Sequence, residues 1–285
     1  MKKNHEDVLD IIHEKNNAMA KVFHDYCQKE NLTYYIIGGT FLGSIRHKGF
    51  IPWDDDMDIA MPREDYEKFL NKFPQKEYFI LNYKTHPDYK YYISKLCSRD
   101  YIIKEKTGNE VNLFIDIFPI DGMPDNKFKR KIHCLRILYH RMKLSFYYND
   151  TIDKEKKRKL YEKVLIFFAT KIPFKKLINP SKEKSKIDKL LMKNSFYKSK
   201  YSGTIMGAYR EREIVETRLF GKPCLYQFED MKLYGPEKYD EYLTHIYGDY
   251  MKIPKDVDRT SHCEELICVN KGEKNDWFDN NSSII

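Results

Sequence analysis

Apolar residues along the first fifty positions follow a helical period, then a strand-like run, then a helical period again. Residues 6–30 place Val8, Ile12, Met19, Val22 and Phe23 at three- and four-residue steps, which predicts a long amphipathic helix. Residues 34–37 are β-branched or aromatic and predict a short buried strand. That strand ends at two glycines, and residues 40–47 then predict a second helix.

Similar patterns predict alternating strands and helices over much of the remaining chain. Residues 63–73 predict a helix that begins directly after a proline. Apolar runs predict strands over residues 78–83, 91–97, 101–104 and 113–120, and residues 121–124 predict a turn that closes this half. Helical spacing follows over residues 127–148, 153–170 and 236–247.

Positive charge is concentrated in the middle of the chain. Residues 126–200 contain 23 Lys and Arg against 6 Asp and Glu, and since the whole chain carries +8 the remainder carries −9. Such a stretch suggests an anionic partner, of which an anionic membrane surface fits best, because aromatic residues lie beside the basic clusters at 154–163 and 171–176. Solvated faces of ordinary helices explain the same charges, and nucleic acid is not the expected partner.

Cysteine usage and hydropathy indicate the compartment. The six cysteines are scattered without a CxxC pair, which favours reduced thiols and a cytoplasmic protein. The longest apolar run, residues 164–170, is far below the roughly 20 residues that cross a bilayer, and no signal peptide is evident. The sequence therefore predicts a cytoplasmic protein that is peripheral on the inner face of the membrane. A zinc site at His262, Cys263 and Cys268 would lack an apparent fourth ligand.

An acidic run is the strongest chemical signal. Asp54, Asp55, Asp56 and Asp58 crowd together in a basic protein, and such carboxylates repel one another unless a cation lies among them. Mg²⁺ is often held by one or two carboxylates together with water and phosphate oxygens. Asp56 and Asp58 alternate with apolar residues, which places them on one face of a strand. We expect Asp54 and Asp55 to shape the preceding loop or to hold outer waters; a solvated acidic turn is the alternative.

The double glycine upstream suggests how a phosphate could approach these acids. Gly38 and Gly39 stand between the predicted strand and helix, where a backbone without side chains and free N–H groups can face an anion. Arg46, at the far end of the short helix, could neutralise phosphate charge. A lone glycine pair is an ordinary turn; this one gains weight from the acids that follow.

A third acid interrupts an otherwise apolar strand. Asp116 lies within residues 113–120, where an isolated carboxylate is unfavourable unless it is paired or binds metal. It could be a third metal ligand or the base that accepts a proton. Lys95 lies in a neighbouring strand and is a candidate for contact with donor phosphate; surface charge is the equal alternative.

Three stretches of this chain resemble the LicD family, namely residues 38–59, 114–122 and 239–254. The resemblance implies a nucleotidyltransferase-superfamily fold and transfer of phosphocholine from CDP-choline to a cell-surface glycan; relatives such as the fukutin-related proteins transfer other CDP-linked alditol phosphates. It also implies that Gly38 and Gly39 face the nucleotide phosphates, with Thr40 beside them, and that Asp56, Asp58 and Asp116 hold the metal.

We therefore expect an α+β fold, with a nucleotidyltransferase-like mixed sheet, flanking helices, a basic helical insertion and C-terminal helices. The expected units are a catalytic core at 1–124, a basic acceptor- or membrane-facing region at 125–215, and a segment at 216–285 that returns to the core.

The predicted reaction is transfer of a phospho-alcohol, phosphocholine foremost, to a hydroxyl of a glycan or lipid-linked teichoic-acid precursor, with Mg²⁺ or Mn²⁺. Three alternatives stay open. They are a nucleotidyltransferase that uses an NTP, a non-catalytic basic module that binds membrane or nucleic acid, and a metal-dependent glycosyltransferase.

Overall fold

A mixed sheet with helices against it forms the framework of the protein, which has an α+β fold. The computed structural model describes residues 5–74, 76–87, 89–105, 110–148, 174–255 and 263–268. Within them the helices are α1 (His5–Lys29), α2 (Gly38–Arg46), α3 (Arg63–Lys72), α4 (Lys127–Tyr147), α5 (Phe174–Leu177), α6 (Pro180–Leu191) and α7 (Tyr239–Tyr247). The strands are β1 (Tyr35–Ile36), β2 (Asp58–Pro62), β3 (Tyr78–Leu81), β4 (Ser94–Glu105), β5 (Glu110–Met123), β6 (Tyr201–Gly203), β7 (Ile214–Glu216), β8 (Cys224–Phe228), β9 (Met231–Gly235) and β10 (Cys263–Cys268).

The sheet is built around β5, its longest strand. The strand order is β1-β2-β5-β4-β10, in which β2 and β5 run parallel and the other neighbours run antiparallel. β3 also pairs with β4, and the far end of β5 continues into β6 and β7. The hairpin β8–β9 packs against α2 and β1 instead of joining this sheet.

The main core lies between the sheet and the helices of the first half. Ile59 on β2 and Ile117 on β5 are fully buried, as are Phe23 on α1 and Phe69 on α3, whose rings meet edge to face. A smaller core joins α4 and α6 to the end of β5. The apolar faces that the sequence places at helical and alternating spacing thus pack onto one sheet.

The two predicted helices at the start of the chain are confirmed, and so is the helix after Pro62. The helices predicted over residues 127–148 and 236–247 correspond to α4 and α7, apart from small shifts at their ends. The strand predictions need two corrections. Residues 91–97 and 101–104 do not form two strands, because β4 runs from Ser94 to Glu105 with a bulge between Cys97 and Ile102.

The second correction concerns residues 121–124, which do not form a turn that ends the first half. Asp121, Gly122 and Met123 extend β5 and pair with β6. An Asp-Gly pair favours turns, but here the carboxylate of Asp121 accepts two hydrogen bonds from Arg63, each 2.7 Å long, in a buried ion pair. This pairing holds Asp121 in the sheet.

Two predictions fall partly or wholly outside the described residues, namely the helix at 153–170 and the basic clusters at 154–163 and 171–176. No helix in the described part of the chain is both long and apolar enough to traverse a membrane.

Candidate active site

Two carboxylates and a lysine lie side by side across the centre of the sheet. In the parallel pairing of β2 with β5, Asp58 is the direct partner of Asp116, and in the antiparallel pairing of β5 with β4, Asp116 is the direct partner of Lys95. Direct partners project to the same face of a sheet. The Lys95 Nζ is 3.7 Å from Asp116 Oδ1. Residues that are far apart in sequence therefore form one row of charges.

The first turn of α2 lies against these acids, and only glycine fits there. Gly38 has a φ of +59°, and a Cβ atom on it would lie 2.5 Å from Asp58 Oδ2. A Cβ atom on Gly39 would lie 2.5 Å from Asp54 Oδ2. The first N–H groups of a helix have no partner within the helix, and they attract anions. The two glycines thus bring this helix end next to the carboxylates, although they lie inside α2 and not in a turn before it.

The acidic run approaches the site as an extended segment in which alternate residues face one cleft. Asp54, Asp56 and Asp58 all line that cleft. β2 begins only at Asp58, so Asp56 precedes the strand on which we predicted it. Asp54 is fixed through its backbone, since its N–H donates to Ile51 O at 2.9 Å and its carbonyl oxygen is 2.6 Å from His13 Nε2.

Burial and mutual repulsion make these carboxylates hard to ionise together. Burial, and then the charges of Asp56 and its neighbours, raise the pKa of Asp54 to about 8. The same causes hold the pKa of Asp58 well above its usual value. Burial also raises the pKa of Asp116, to about 6, although Lys95 opposes that shift. A bound cation would relieve the repulsion.

Asp116 carries an orphaned atom that suits such a cation. Its Oδ1 is buried and accepts no hydrogen bond. Within the described ranges no three acidic, histidine or cysteine side chains are already arranged around one metal position. Mg²⁺ needs only one or two carboxylates when phosphate oxygens and water complete its coordination. One or two carboxylates from among Asp56, Asp58 and Asp116 therefore fit an ion that arrives with a phosphorylated substrate.

The cleft above the acids has a volume of about 780 Å³. One wall comes from the C-terminal end of α7 and the segment after it, including Tyr247 and Tyr250. Another wall is the loop before β7, with Tyr209 and Glu213. Glu213 accepts hydrogen bonds from Thr204 Oγ1 and from the Tyr209 N–H, and burial raises its pKa. Aromatic rings and carboxylates from distant parts of the chain thus contribute to the walls of the cleft.

Two predicted contact residues have positions that differ from the expectation. Thr40 is buried, and its Oγ1 accepts a hydrogen bond from the Asp58 N–H at 2.8 Å, so the hydroxyl helps to orient the start of β2 and does not line the cleft. Arg46 does line the cleft, but its Nη1 donates to Tyr250 O at 3.0 Å. It therefore ties α2 to the wall formed by the C-terminal segment.

A second, smaller cavity of about 230 Å³ adjoins the larger cleft, and its lining also includes Asp56 and Asp116. It shares those acids and Tyr91 with the larger cleft, and it adds Lys95 and Phe114. The Lys95 ammonium lies over the Phe114 ring, 2.9 Å from its centroid. Asp56 and Asp116 thus line both cavities.

Sequence reasoning missed the position of Asp54 in the cleft, and it missed Tyr209 and Glu213 altogether. The alternation that selected Asp56 and Asp58 extends back to Asp54, so a signal for that residue was present. Tyr209 and Glu213 come from a loop some 90 residues beyond Asp116 in the chain. No short-range pattern connects that loop to the acids.

Comparison with known proteins places this chain in a family. A model described as the nucleotidyltransferase domain of LicD, FKTN and FKRP matches residues 31–179. The chain is 29% identical over 246 residues to the lipopolysaccharide cholinephosphotransferase LicD of Haemophilus influenzae, a match that covers 84% of this chain and 90% of that protein. It is also 33% identical over 112 residues to an uncharacterized protein of Rickettsia typhi, which covers 38% of this chain and 35% of the relative. Because the family match covers more than half of its length, with the acidic run and Asp116 inside the matched region, the chain belongs to the LicD family of nucleotidyltransferase-domain proteins.

Proposed function

We propose that this protein transfers phosphocholine from CDP-choline to a hydroxyl group of a cell-surface glycan or of its lipid-linked precursor. The observation that supports this most is the convergence of the Gly38–Gly39 helix start with Asp54, Asp58 and Asp116 at the floor of one cleft. The name of the Haemophilus relative, a lipopolysaccharide cholinephosphotransferase, supports the choice of phosphocholine and of a glycan acceptor.

The donor would lie in the larger cleft with its diphosphate toward Gly38 and Gly39, because the missing side chains and the free N–H groups of the helix start favour close approach of an anion. Asp56 and Asp58 would hold Mg²⁺ or Mn²⁺, which leaves Asp116 to act as the base. When bound, that ion would neutralise charge on the phosphates and on the departing CMP.

The choline end of the donor would meet the aromatic walls. A quaternary ammonium group is attracted to the faces of tyrosine and tryptophan rings. Tyr209 and Tyr247 meet edge to face in this cleft, with ring centroids 6.0 Å apart, and Trp53 also lines it. Lining of this kind would favour a cationic alcohol over the neutral alditols of other CDP-linked donors.

The acceptor hydroxyl would come from the smaller cavity, whose lining includes Asp56 and Asp116 but neither glycine. Its oxygen forms a bond to the phosphocholine phosphorus while the bond from phosphorus to the CMP oxygen breaks. Asp116 would take the hydroxyl proton, and the ammonium of Lys95, 3.7 Å from Asp116 Oδ1, would steady that carboxylate. Separate cavities for the acceptor and for the departing CMP would suit an in-line displacement.

The test is release of CMP from CDP-choline with a glycan acceptor and Mg²⁺, compared with CDP-glycerol, CDP-ribitol and ATP. Asp58→Asn should lower turnover by about 10²–10³, the usual effect of losing one charge-stabilising group in an active site. The matched control is Asp25→Asn, since Asp25 is an exposed carboxylate on α1. Preference for ATP would favour a nucleotidyltransferase instead, and full activity of Asp58→Asn would reject this active site.

A further inference from the structure

Helix α4 carries a stripe of apolar side chains that face solvent. Phe128, Ile132, Leu135, Tyr139 and Met142 follow one another at steps of four and three residues, which places them along one side of the helix. Their exposed fractions range from 43% to 72%. The stripe extends about 21 Å at the 1.5 Å rise of an α-helix. Contiguous exposed apolar surface of this kind usually marks an interaction site.

This stripe is separate from the side of α4 that builds the core. Cys134, Ile137 and Leu144 are buried against α6 and the end of β5. At 100° per residue they lie on the opposite side of the helix from Leu135 and Tyr139. The exposed residues are therefore not needed to hold α4 in place.

The charges beside the stripe indicate what covers it. Helix α4 contains no acidic residue and seven basic ones, Lys127, Lys129, Arg130, Lys131, Arg136, Arg141 and Lys143. Arg130 and Arg141 donate to backbone carbonyl groups, and Lys143 contacts Glu183. Lys127, Lys129, Lys131 and Arg136 are exposed. An apolar stripe flanked by exposed cations is the arrangement of helices that lie in the plane of an anionic bilayer.

We propose that this face of α4 docks the protein on a membrane that contains anionic lipid, with the helix parallel to the surface. A second copy of the chain suits the stripe less well, because two copies of α4 would bring only positive charges together. Leu177 and Lys176 on α5, which packs against α4, are exposed as well and add one more apolar and one more basic side chain. Binding to lipid does not depend on the proposed reaction.

The docking surface is rigidly tied to the catalytic cleft. Only Pro124, Asp125 and Asn126 separate the end of β5, which carries Asp116, from the start of α4. Asn126 caps the helix, since its side chain accepts hydrogen bonds from the N–H groups of Phe128 and Lys129. A bilayer bound to α4 would therefore hold the cleft in one orientation, which would suit an acceptor carried on lipid.

The test uses the full chain and sedimentation with vesicles of phosphatidylglycerol and phosphatidylcholine, against vesicles of phosphatidylcholine alone. The wild type should sediment with the anionic vesicles only, and less so as salt is raised. Leu135→Gln with Met142→Gln should weaken binding roughly tenfold or more, because two large side chains no longer insert into the lipid. The matched control is Leu225→Gln with Met251→Gln, which removes a leucine and a methionine of similar exposure outside α4 and should leave binding unchanged.

A second variant, Lys131→Gln with Arg136→Gln, should also weaken binding to anionic vesicles at low salt, by about fivefold for each charge. Both α4 variants should keep the wild-type melting temperature and the wild-type hydrolysis of CDP-choline by water, so failure here is distinguishable from failure of the proposed reaction. Equal sedimentation of the wild type and the Leu135/Met142 variant would overturn the proposal. The proposal would also be overturned if the wild type formed concentration-dependent dimers and the Leu135/Met142 variant did not.

Discussion

Replacement of Gly38 by alanine tests how closely the start of α2 must approach the carboxylates. The added Cβ would lie 2.5 Å from Asp58 Oδ2 and 3.4 Å from Asp58 Cβ and Cγ. Since atoms in favourable contact lie roughly 3.5–4 Å apart, the carboxylate would have to retreat by about 1 Å. A displacement of that size in an active site commonly lowers turnover about 100-fold. We therefore expect Gly38→Ala to lose about two orders of magnitude in CMP release from CDP-choline.

The same change also strains the backbone, and this effect needs its own control. Gly38 has a φ of +59°, which costs about 1–2 kcal/mol for a residue with a Cβ atom. Gly248, after α7, has a φ of +73°, and a Cβ atom there would meet nothing within 4 Å. Gly248→Ala should therefore lose stability through backbone strain alone and keep its activity.

Thermal melting and CMP release, measured on both variants and the wild type, separate the two effects. For a chain of this size each kcal/mol corresponds to roughly 2–4 °C in melting temperature. Both variants should have a melting temperature a few degrees below that of the wild type, and only Gly38→Ala should release CMP more slowly. Wild-type turnover in Gly38→Ala would refute the idea that activity requires the present position of the Asp58 carboxylate against Gly38. Equal loss of activity in Gly248→Ala would show that backbone strain alone explains the effect.

Three further predictions concern charge. Asp58→Asn removes one of several mutually repelling buried carboxylates. The melting temperature of this variant in EDTA should therefore exceed that of the wild type, and Mg²⁺ should raise it less. Melting curves recorded with and without Mg²⁺ test both outcomes. Arg63→Met leaves Asp121 buried without its partner and should cost about 3–5 kcal/mol in urea unfolding, part of which Asp121→Leu in the same chain should restore. Burial favours protonation of Glu183, but hydrogen bonds from Lys186, His140 and Lys143 outweigh it and lower its pKa to about 2. Stability should therefore decline as the pH falls from 4.5 toward 2, and Glu183→Gln should flatten that decline in melting temperature.

The parts of the fold that were predicted correctly depend on short-range patterns. β1, α2 and β2 follow one another within 28 residues, and each has a clear hydrophobic period, so their order and the placement of glycines near acids could be seen in the sequence. The continuous course of β4 could not, because its bulge between Cys97 and Ile102 interrupts the alternation on which the prediction depended. Asp121 is a similar case, since the ion pair that keeps it in β5 comes from α3, some 60 residues earlier.

In the candidate site, too, short-range sequence patterns predicted individual residues but not the contacts between residues that are distant in sequence. Asp116 was selected as an isolated acid in an apolar run, but nothing in the sequence fixed its register opposite Asp58. Arg46 was expected at the phosphates because it ends a short helix near the acids. In the structure Arg46 donates to the carbonyl group of Tyr250, which lies about 200 residues away in sequence. Contacts of that range depend on the complete fold.

The distribution of charge gives one physical reason for the separation of the cleft from the lipid-docking face. The cleft contains several crowded carboxylates within a protein of net charge +8, and such a group favours a bound cation over anionic lipid. The exposed cations of α4 attract the same lipid at a different surface, three residues beyond the strand that carries Asp116. Membrane binding through α4 and donor binding through the acids would therefore respond oppositely to divalent ions. Mg²⁺ should strengthen donor binding in the cleft and weaken vesicle binding by screening the lipid, and titration of both activities on one protein sample would show whether the two surfaces act independently.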